Sequence, residues 1–245
     1  MPDILERIRR APEVLLFLDF DGTLTPLRPR PEQVRLAPSA RNLLRRLARQ
    51  PRVALFIISG RTLADLKARV GLPNVRCLGL HGWQGLPGAR LDGPSRTALA
   101  QLRRAVRREI LVIPGLRLEN KGEAFSLHFR GARREAIRQA RRRLKRLLRP
   151  FERQLRVMEG KKIWEVLPRL NRGKGAAVKK LRARFPRGSL TIYMGDDTTD
   201  EDAFRALPSG ITVRVGSFRR TRARWLARNP SEVIRFLKEM ERALG

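Results

Sequence analysis

The sequence predicts an α/β fold: a Rossmann-like parallel sheet, interrupted by a smaller α+β insertion. Three observations carry this. Short apolar runs at Val14–Leu18, Val53–Ile58 and Leu190–Gly195 each stop abruptly in polar residues, the signature of strands buried on both faces. Helical patterns follow two of the polar clusters, from Thr62 and from Ala176. Between them the texture changes. From Gly85 to Leu170 two arginine-rich helical patterns, Pro94–Ile110 and Arg133–Leu148, alternate with strand patterns near Leu116–Glu119, Ala124–Phe129, Gln154–Met158 and Lys162–Val166. Two helices over four strands make a compact cap. The expected organisation is a discontinuous core, residues 1–84 and 171–245, with a cap domain at 85–170.

The first strand ends in Asp19-Phe20-Asp21-Gly22-Thr23. Side chains alternate along an extended chain, so Asp19 and Asp21 are expected on the same side, at the carboxyl edge where open α/β sheets place their ligands. Two adjacent carboxylates cost free energy unless a cation, a proton or hydrogen bonds compensate, and Gly22-Thr23 turns backbone N–H groups toward an anion. An isolated Asp-Gly is also a common turn. The three prolines of Pro26–Pro31 read as a rigid loop behind it.

The second strand runs into Ser59-Gly60-Arg61, and Thr62 opens a helix, so a hydroxyl and free N–H groups meet at a helix N-terminus suited to an anion. Lys174 sits between Gly173 and Gly175 at the start of another helical pattern, able to approach a charged centre closely. The last strand ends in Asp196-Asp197-Thr198-Thr199-Asp200-Glu201-Asp202, where five of seven residues are acidic in a chain with 23 acids and 55 bases. That concentration suggests a hard divalent cation bound through oxygen, with Glu201 and Asp202 serving the dipole of the following helix.

These four segments, in this order, resemble the haloacid dehalogenase superfamily of phosphotransferases. The resemblance implies Asp19 as the nucleophile that forms an aspartyl-phosphate and Asp21 as general acid and then base. Ser59 and Lys174 would hold the transferring phosphoryl oxygens. Asp19, Asp196 and the Asp21 carbonyl would hold Mg²⁺, with Asp197 and Asp200 supporting that shell.

Further segments narrow the resemblance to the trehalose-6-phosphate phosphatases: Leu80-His81-Gly82-Trp83, Glu119-Asn120-Lys121, His128-Phe129-Arg130, Gly160-Lys161-Lys162-Ile163-Trp164-Glu165, Tyr193 to Phe204, and Val215-Gly216 with Thr221-Arg222-Ala223. The likeness runs from about Val14 to Leu237. It implies substrate contacts from Glu119, Lys121, Lys161 and Glu165 in the cap, with Gly60, Arg61, His81, His128 and Arg130 completing the substrate-binding set. It also implies a small sugar phosphate as substrate and functional pairing with a trehalose-phosphate synthase. The chain departs from the pattern at Gln84, where an acid is common, and at Arg172-Gly173, which look inserted before the lysine. A phosphatase of another sugar phosphate, such as glucosyl- or mannosyl-phosphoglycerate, is the alternative reading.

Length and composition bound the rest. The 245 residues suffice for one large domain or a core plus an insertion. No apolar run reaches 18 residues, and Met1–Glu6 lacks a basic region followed by an apolar stretch, so neither a membrane span nor a signal peptide is expected; the cytoplasmic location expected here goes with the lone cysteine. The single cysteine, Cys77, lies in an apolar strand pattern and reads as an inert core thiol; two histidines are too few for a histidine metal cluster. A net charge of +32 raises nucleic-acid binding as a remote alternative. However, leucines interleave the arginines, as at Leu144, Leu147 and Leu148, which is the pattern of amphipathic helices with a solvated face, so no specific nucleic-acid partner is expected.

Overall fold

The computed structural model describes residues 2–28, 31–216 and 220–245. The loop residues Pro29 and Arg30, and the stretch between Gly216 and Thr221 at 217–219, therefore lie outside the described residues. Contacts divide the chain into two compact units, Met1–Pro87 with Arg172–Gly245, and Gly88–Asn171.

The first unit is built on six parallel strands in the order β10-β9-β8-β1-β2-β3. These are β1 (Val14–Asp19), β2 (Val53–Ile58), β3 (Arg76–Leu78), β8 (Leu190–Gly195), β9 (Ile211–Val215) and β10 (Trp225–Ala227). The apolar runs form the middle of the sheet because both faces are covered. Helices α1 (Pro2–Arg10), α2 (Pro38–Leu47), α3 (Leu63–Val70) and α8 (Pro230–Leu244) pack Ile4, Ile8, Leu43, Leu66, Val233 and Phe236 with Val14, Leu16 and Leu18. Helices α6 (Gly173–Arg182) and α7 (Glu201–Ala206) pack Val178, Leu181 and Phe204 against Leu15, Phe17, Phe56 and Tyr193 on the other face. Strand periodicity then decides the chemistry: Asp19 shares the face of Leu15 and Phe17, the side on which α6 begins.

Register aligns the strand ends. Val14 pairs with both Val53 and Leu190, which brings Asp19 opposite Ile58 and Leu18 opposite Met194. The polar residues that follow, Ser59 and Asp196, thus emerge beside Asp19 at one edge. Sequence patterning gave no helix for residues 2–10; Ile4 and Ile8, one turn apart, are its buried stripe.

The second unit has an antiparallel sheet in the order β4-β5-β7-β6. Its strands are β4 (Arg117–Asn120), β5 (Phe125–His128), β6 (Leu155–Gly160) and β7 (Ile163–Pro168). Helices α4 (Gly93–Glu109) and α5 (Arg134–Leu148) bury Leu99, Leu102, Val106, Ala140 and Leu144 against Phe125, Leu127, Trp164 and Val166. Alternation directs Ser126, His128 and Glu165 to the opposite face, and cross-strand register places Glu119 opposite Ser126 and Ser126 opposite Glu165. This face carries polar residues because neither helix of its unit covers it.

Candidate active site

At the carboxyl edge of the first unit, Asp19 ends β1 and is 5% exposed. Lys174, in the first turn of α6, donates from Nζ to Asp19 Oδ1 at 2.6 Å and to Asp200 Oδ1 at 2.7 Å. Asp200 is wholly buried and also accepts from the Tyr193 hydroxyl at 2.6 Å and from the Asp197 N–H at 2.9 Å. Burial works against the Lys174 charge, but Asp19 and Asp200 outweigh it and hold its pKa well above the ordinary value. Lysine is therefore a fixed cation here.

The carboxylates are less balanced. Burial, with Asp200 and Asp196 nearby, pushes Asp19 well above the usual range despite Lys174. Burial and then Asp200 push Asp196 up to about 6. Oxygen atoms of Asp19, Asp196 and Asp200 lie within 4.8 Å of one another. One ammonium does not neutralise three carboxylates, and a hard cation at this oxygen-rich point would offset both the burial and the mutual repulsion that raise these pKa values. The donor set fits a divalent metal. Gly22, at φ 91°, leaves the room: a Cβ there would stand 2.1 Å from Asp196 Oδ2, and Thr23 Oγ1 donates to Asp196 Oδ1 at 3.3 Å.

Ser59 is buried directly after β2, and its Oγ accepts from the Arg61 N–H at 3.2 Å. His81 packs over Gly60 so closely that a Cβ on the glycine would meet the ring at 2.7 Å. Leu80 and His81 both hold left-handed backbone, φ 46° and 58°, a conformation that disfavours side chains and persists only where surroundings impose it. Gln84, the departure from the family pattern, accepts from the Leu63 N–H at 2.9 Å and so caps α3.

Asp21 lies beyond the strand end, and its carboxylate has partners separate from those of Asp19. Arg61 grips it with two parallel bonds, Nη2 to Oδ1 at 2.6 Å and Nε to Oδ2 at 2.7 Å. The Arg61 guanidinium is thus engaged by the Asp21 carboxylate and, from Nη1, by Asp65 Oδ2 at 2.8 Å. Asp197 is exposed and caps the turn that follows it. Glu201 begins α7 as the dipole argument requires, but it also accepts from the Thr221 hydroxyl and the Arg222 N–H, both at 2.8 Å, a long-range tie that local sequence does not reveal. Cys77 is buried and its thiol is pushed up to about 11 by burial.

In the second unit, four of the predicted cap residues come together on the polar sheet face. His128 Nε2 and Glu119 Oε2 are 2.8 Å apart; Lys121 donates to Glu165 Oε1 at 2.6 Å, and the Ser126 hydroxyl donates to the same oxygen at 3.1 Å. The hydrogen bond to His128 holds Glu119 below its ordinary pKa. Ser126 was not singled out in the sequence; its register opposite Glu119 and Glu165 is the missing signal. Lys161, in the turn between β6 and β7, and Arg130, after β5, are exposed, and neither side chain has a hydrogen-bond or ion-pair partner among the described residues.

A parallel sheet whose adjacent strand ends gather Asp19, Ser59, Lys174 and the Asp196 cluster, carrying an inserted α+β unit, is a haloacid dehalogenase-type fold. The profile of the trehalose-phosphatase family matches residues 17–230, and the chain belongs to that family. A trehalose-phosphate phosphatase of Mycobacterium tuberculosis is 30% identical over 266 residues, covering 100% of this chain and 66% of the relative. The chain thus spans slightly less than two thirds of that relative's length. Among solved structures, the trehalose-6-phosphate phosphatase of Aspergillus fumigatus is 29% identical with a TM-score of 0.72, covering 98% of this chain and 97% of that one. The C-terminal domain of the Candida albicans trehalose-6-phosphate phosphatase is 25% identical with a TM-score of 0.80, covering 98% and 96%.

Proposed function

We propose that the protein is a Mg²⁺-dependent phosphatase that hydrolyses trehalose-6-phosphate to trehalose and phosphate. The observation that carries this is the buried Lys174 bonded to Asp19 beside the Asp196–Asp200 oxygens, in a chain of the trehalose-phosphatase family. Phosphoryl transfer depends chiefly on positioning and charge neutralisation, which this constellation supplies.

In the proposed reaction the Asp19 carboxylate attacks phosphorus while the bond from phosphorus to the sugar oxygen breaks, and Asp21 gives its proton to the departing alkoxide. Asp21, now a carboxylate, takes a proton from a water that attacks the aspartyl-phosphate. The bond from phosphorus to Asp19 breaks, phosphate leaves and Asp19 is restored. Lys174, Ser59 and the N–H groups at Gly60 orient the phosphoryl oxygens. Asp19, Asp196 and the Asp21 carbonyl would hold Mg²⁺, with Asp197 and Asp200 supporting, and the ion would supply positive charge that offsets repulsion between a carboxylate and a dianion. Glu119, Lys121, His128 and Glu165 take sugar hydroxyls, with His81, Arg61, Lys161 and Arg130 completing the substrate set and residues 85–170 acting as the recognition domain. Functional pairing with a trehalose-phosphate synthase would supply the substrate.

Phosphate release from trehalose-6-phosphate, glucose-6-phosphate and glucosyl-phosphoglycerate, each with Mg²⁺ and with EDTA, tests this. The disaccharide phosphate should be preferred and EDTA should abolish turnover. Preference for either other ester, or full turnover in chelator, overturns the assignment.

A further inference from the structure

Arg61, Asp65 and Arg69 recur every fourth residue along one side of α3 and its leading turn, and the structure joins them to Asp21 in a line of alternating charge. Beyond its two bonds to Asp21, Arg61 donates from its remaining edge, Nη1, to Asp65 Oδ2 at 2.8 Å. Arg69 donates from Nε to the same Asp65 oxygen at 2.8 Å, and its Nη2 lies 2.7 Å from Asp65 Oδ1. Arg69 is itself anchored by backbone: Nη1 donates to the Val34 carbonyl at 2.6 Å and the Glu32 carbonyl at 3.1 Å. Both guanidinium side chains are only 10% exposed. Arg61 also lies over the Phe20 ring, 5.7 Å from its centroid.

We propose that Asp65 is a positioning residue for the reaction: braced by Arg69, it fixes the plane of the Arg61 guanidinium, and that fork fixes the carboxyl of Asp21. A planar fork bound on one edge can still swing about its Cδ–Nε bond, whereas one bound on opposite edges cannot. Asp65 is the only acid in α3. Its place in the first turn suits the helix dipole, but that role would leave the carboxylate in water; here it is turned onto two guanidinium groups. The inference rests on the proposed role of Asp21 as proton donor to the leaving oxygen. A proton carrier displaced by even an ångström loses much of its effect.

Leaving groups provide the discriminating test. A sugar alkoxide needs the proton, while 4-nitrophenolate departs without it. With enzyme in excess and Mg²⁺ present, trehalose release from trehalose-6-phosphate and 4-nitrophenol release from 4-nitrophenyl phosphate are timed in a single turnover, for wild type, Asp65→Asn and Asp65→Ala. Trehalose release should slow roughly ten- to a hundredfold in both variants, as for a misplaced general acid, and 4-nitrophenol release by less than about threefold. Asp65→Glu should recover part of the loss. The ratio of the two rates is unaffected by the fraction of a variant that folds. Equal slowing of both releases, or no slowing of either, overturns the positioning role while leaving the phosphatase assignment intact. Wild-type enzyme that releases no trehalose overturns both.

Discussion

Replacing Lys174 by methionine keeps the length of the side chain and removes the cation that Asp19 and Asp200 share. Each contact, at 2.6 and 2.7 Å, is worth about 6 kcal/mol of gross attraction at an effective dielectric constant near 20. Much of that offsets the desolvation of three groups whose side chains are 2%, 7% and 0% exposed. Removal of the lysine leaves the desolvation in place without the compensation, for which about 3–5 kcal/mol is the usual loss. Urea unfolding in EDTA at pH 7.5 should show that loss as a lower midpoint with an unchanged slope. Adding Asp200→Asn should give back part of it, because one of the stranded charges disappears with its partner, so the two changes should be non-additive by more than about 1 kcal/mol. Midpoints within about 1 kcal/mol of wild type, or strictly additive losses, would refute the account of Lys174 as the balancing charge.

In metal-free protein the raised Asp196 value makes the folded state hold a proton that the unfolded state releases, so this stability is fully present below about pH 4 and lost as pH rises through about 6. Between pH 5 and 7 that amounts to roughly 1 kcal/mol, with Asp19 acting in the same direction, and saturating Mg²⁺ should cancel it; thermal melts that stay flat or rise with pH in EDTA would contradict this. Gly22→Ala should weaken Mg²⁺ binding at least tenfold and lower the melting temperature, since its Cβ would overlap Asp196 at a φ of 91°; unchanged affinity by calorimetric titration would count against the cradle. Glu119→Ala and Glu165→Gln should lower kcat/KM for trehalose-6-phosphate roughly ten- to a hundredfold but affect 4-nitrophenyl phosphate little, as expected for lost hydrogen bonds to a sugar; equal losses on both esters would assign these residues to folding alone.

What could be read from sequence follows from how local each signal is. β1, β2 and β8 were legible because strands covered on both faces are continuously apolar, and the chemistry begins where those runs stop. Lys174 was visible as a lysine between glycines, but its partner Asp19 lies 155 residues away and only the shared sheet face explains the pairing. The i, i+4 spacing of Arg61, Asp65 and Arg69 was present too. The Asp21 carboxylate that Arg61 grips is 40 residues distant, so nothing local to α3 announces that the line continues to it. In the cap, motif matching grouped Lys161 with Glu165, whereas strand register groups Glu165 with Ser126, and Lys161 falls in a turn. Register is a pairing between strands, which no single segment encodes.

Tyr193 is the only tyrosine in the chain, and its hydroxyl donates to the carboxylate that also receives Lys174. Ring-fluorinated tyrosine incorporated during growth would therefore give a single fluorine resonance, arising from the charged centre itself. Ligand occupancy, cation loading and the protonation of the surrounding acids could then be followed in one spectrum, without a mutation and without assigning anything else in the protein.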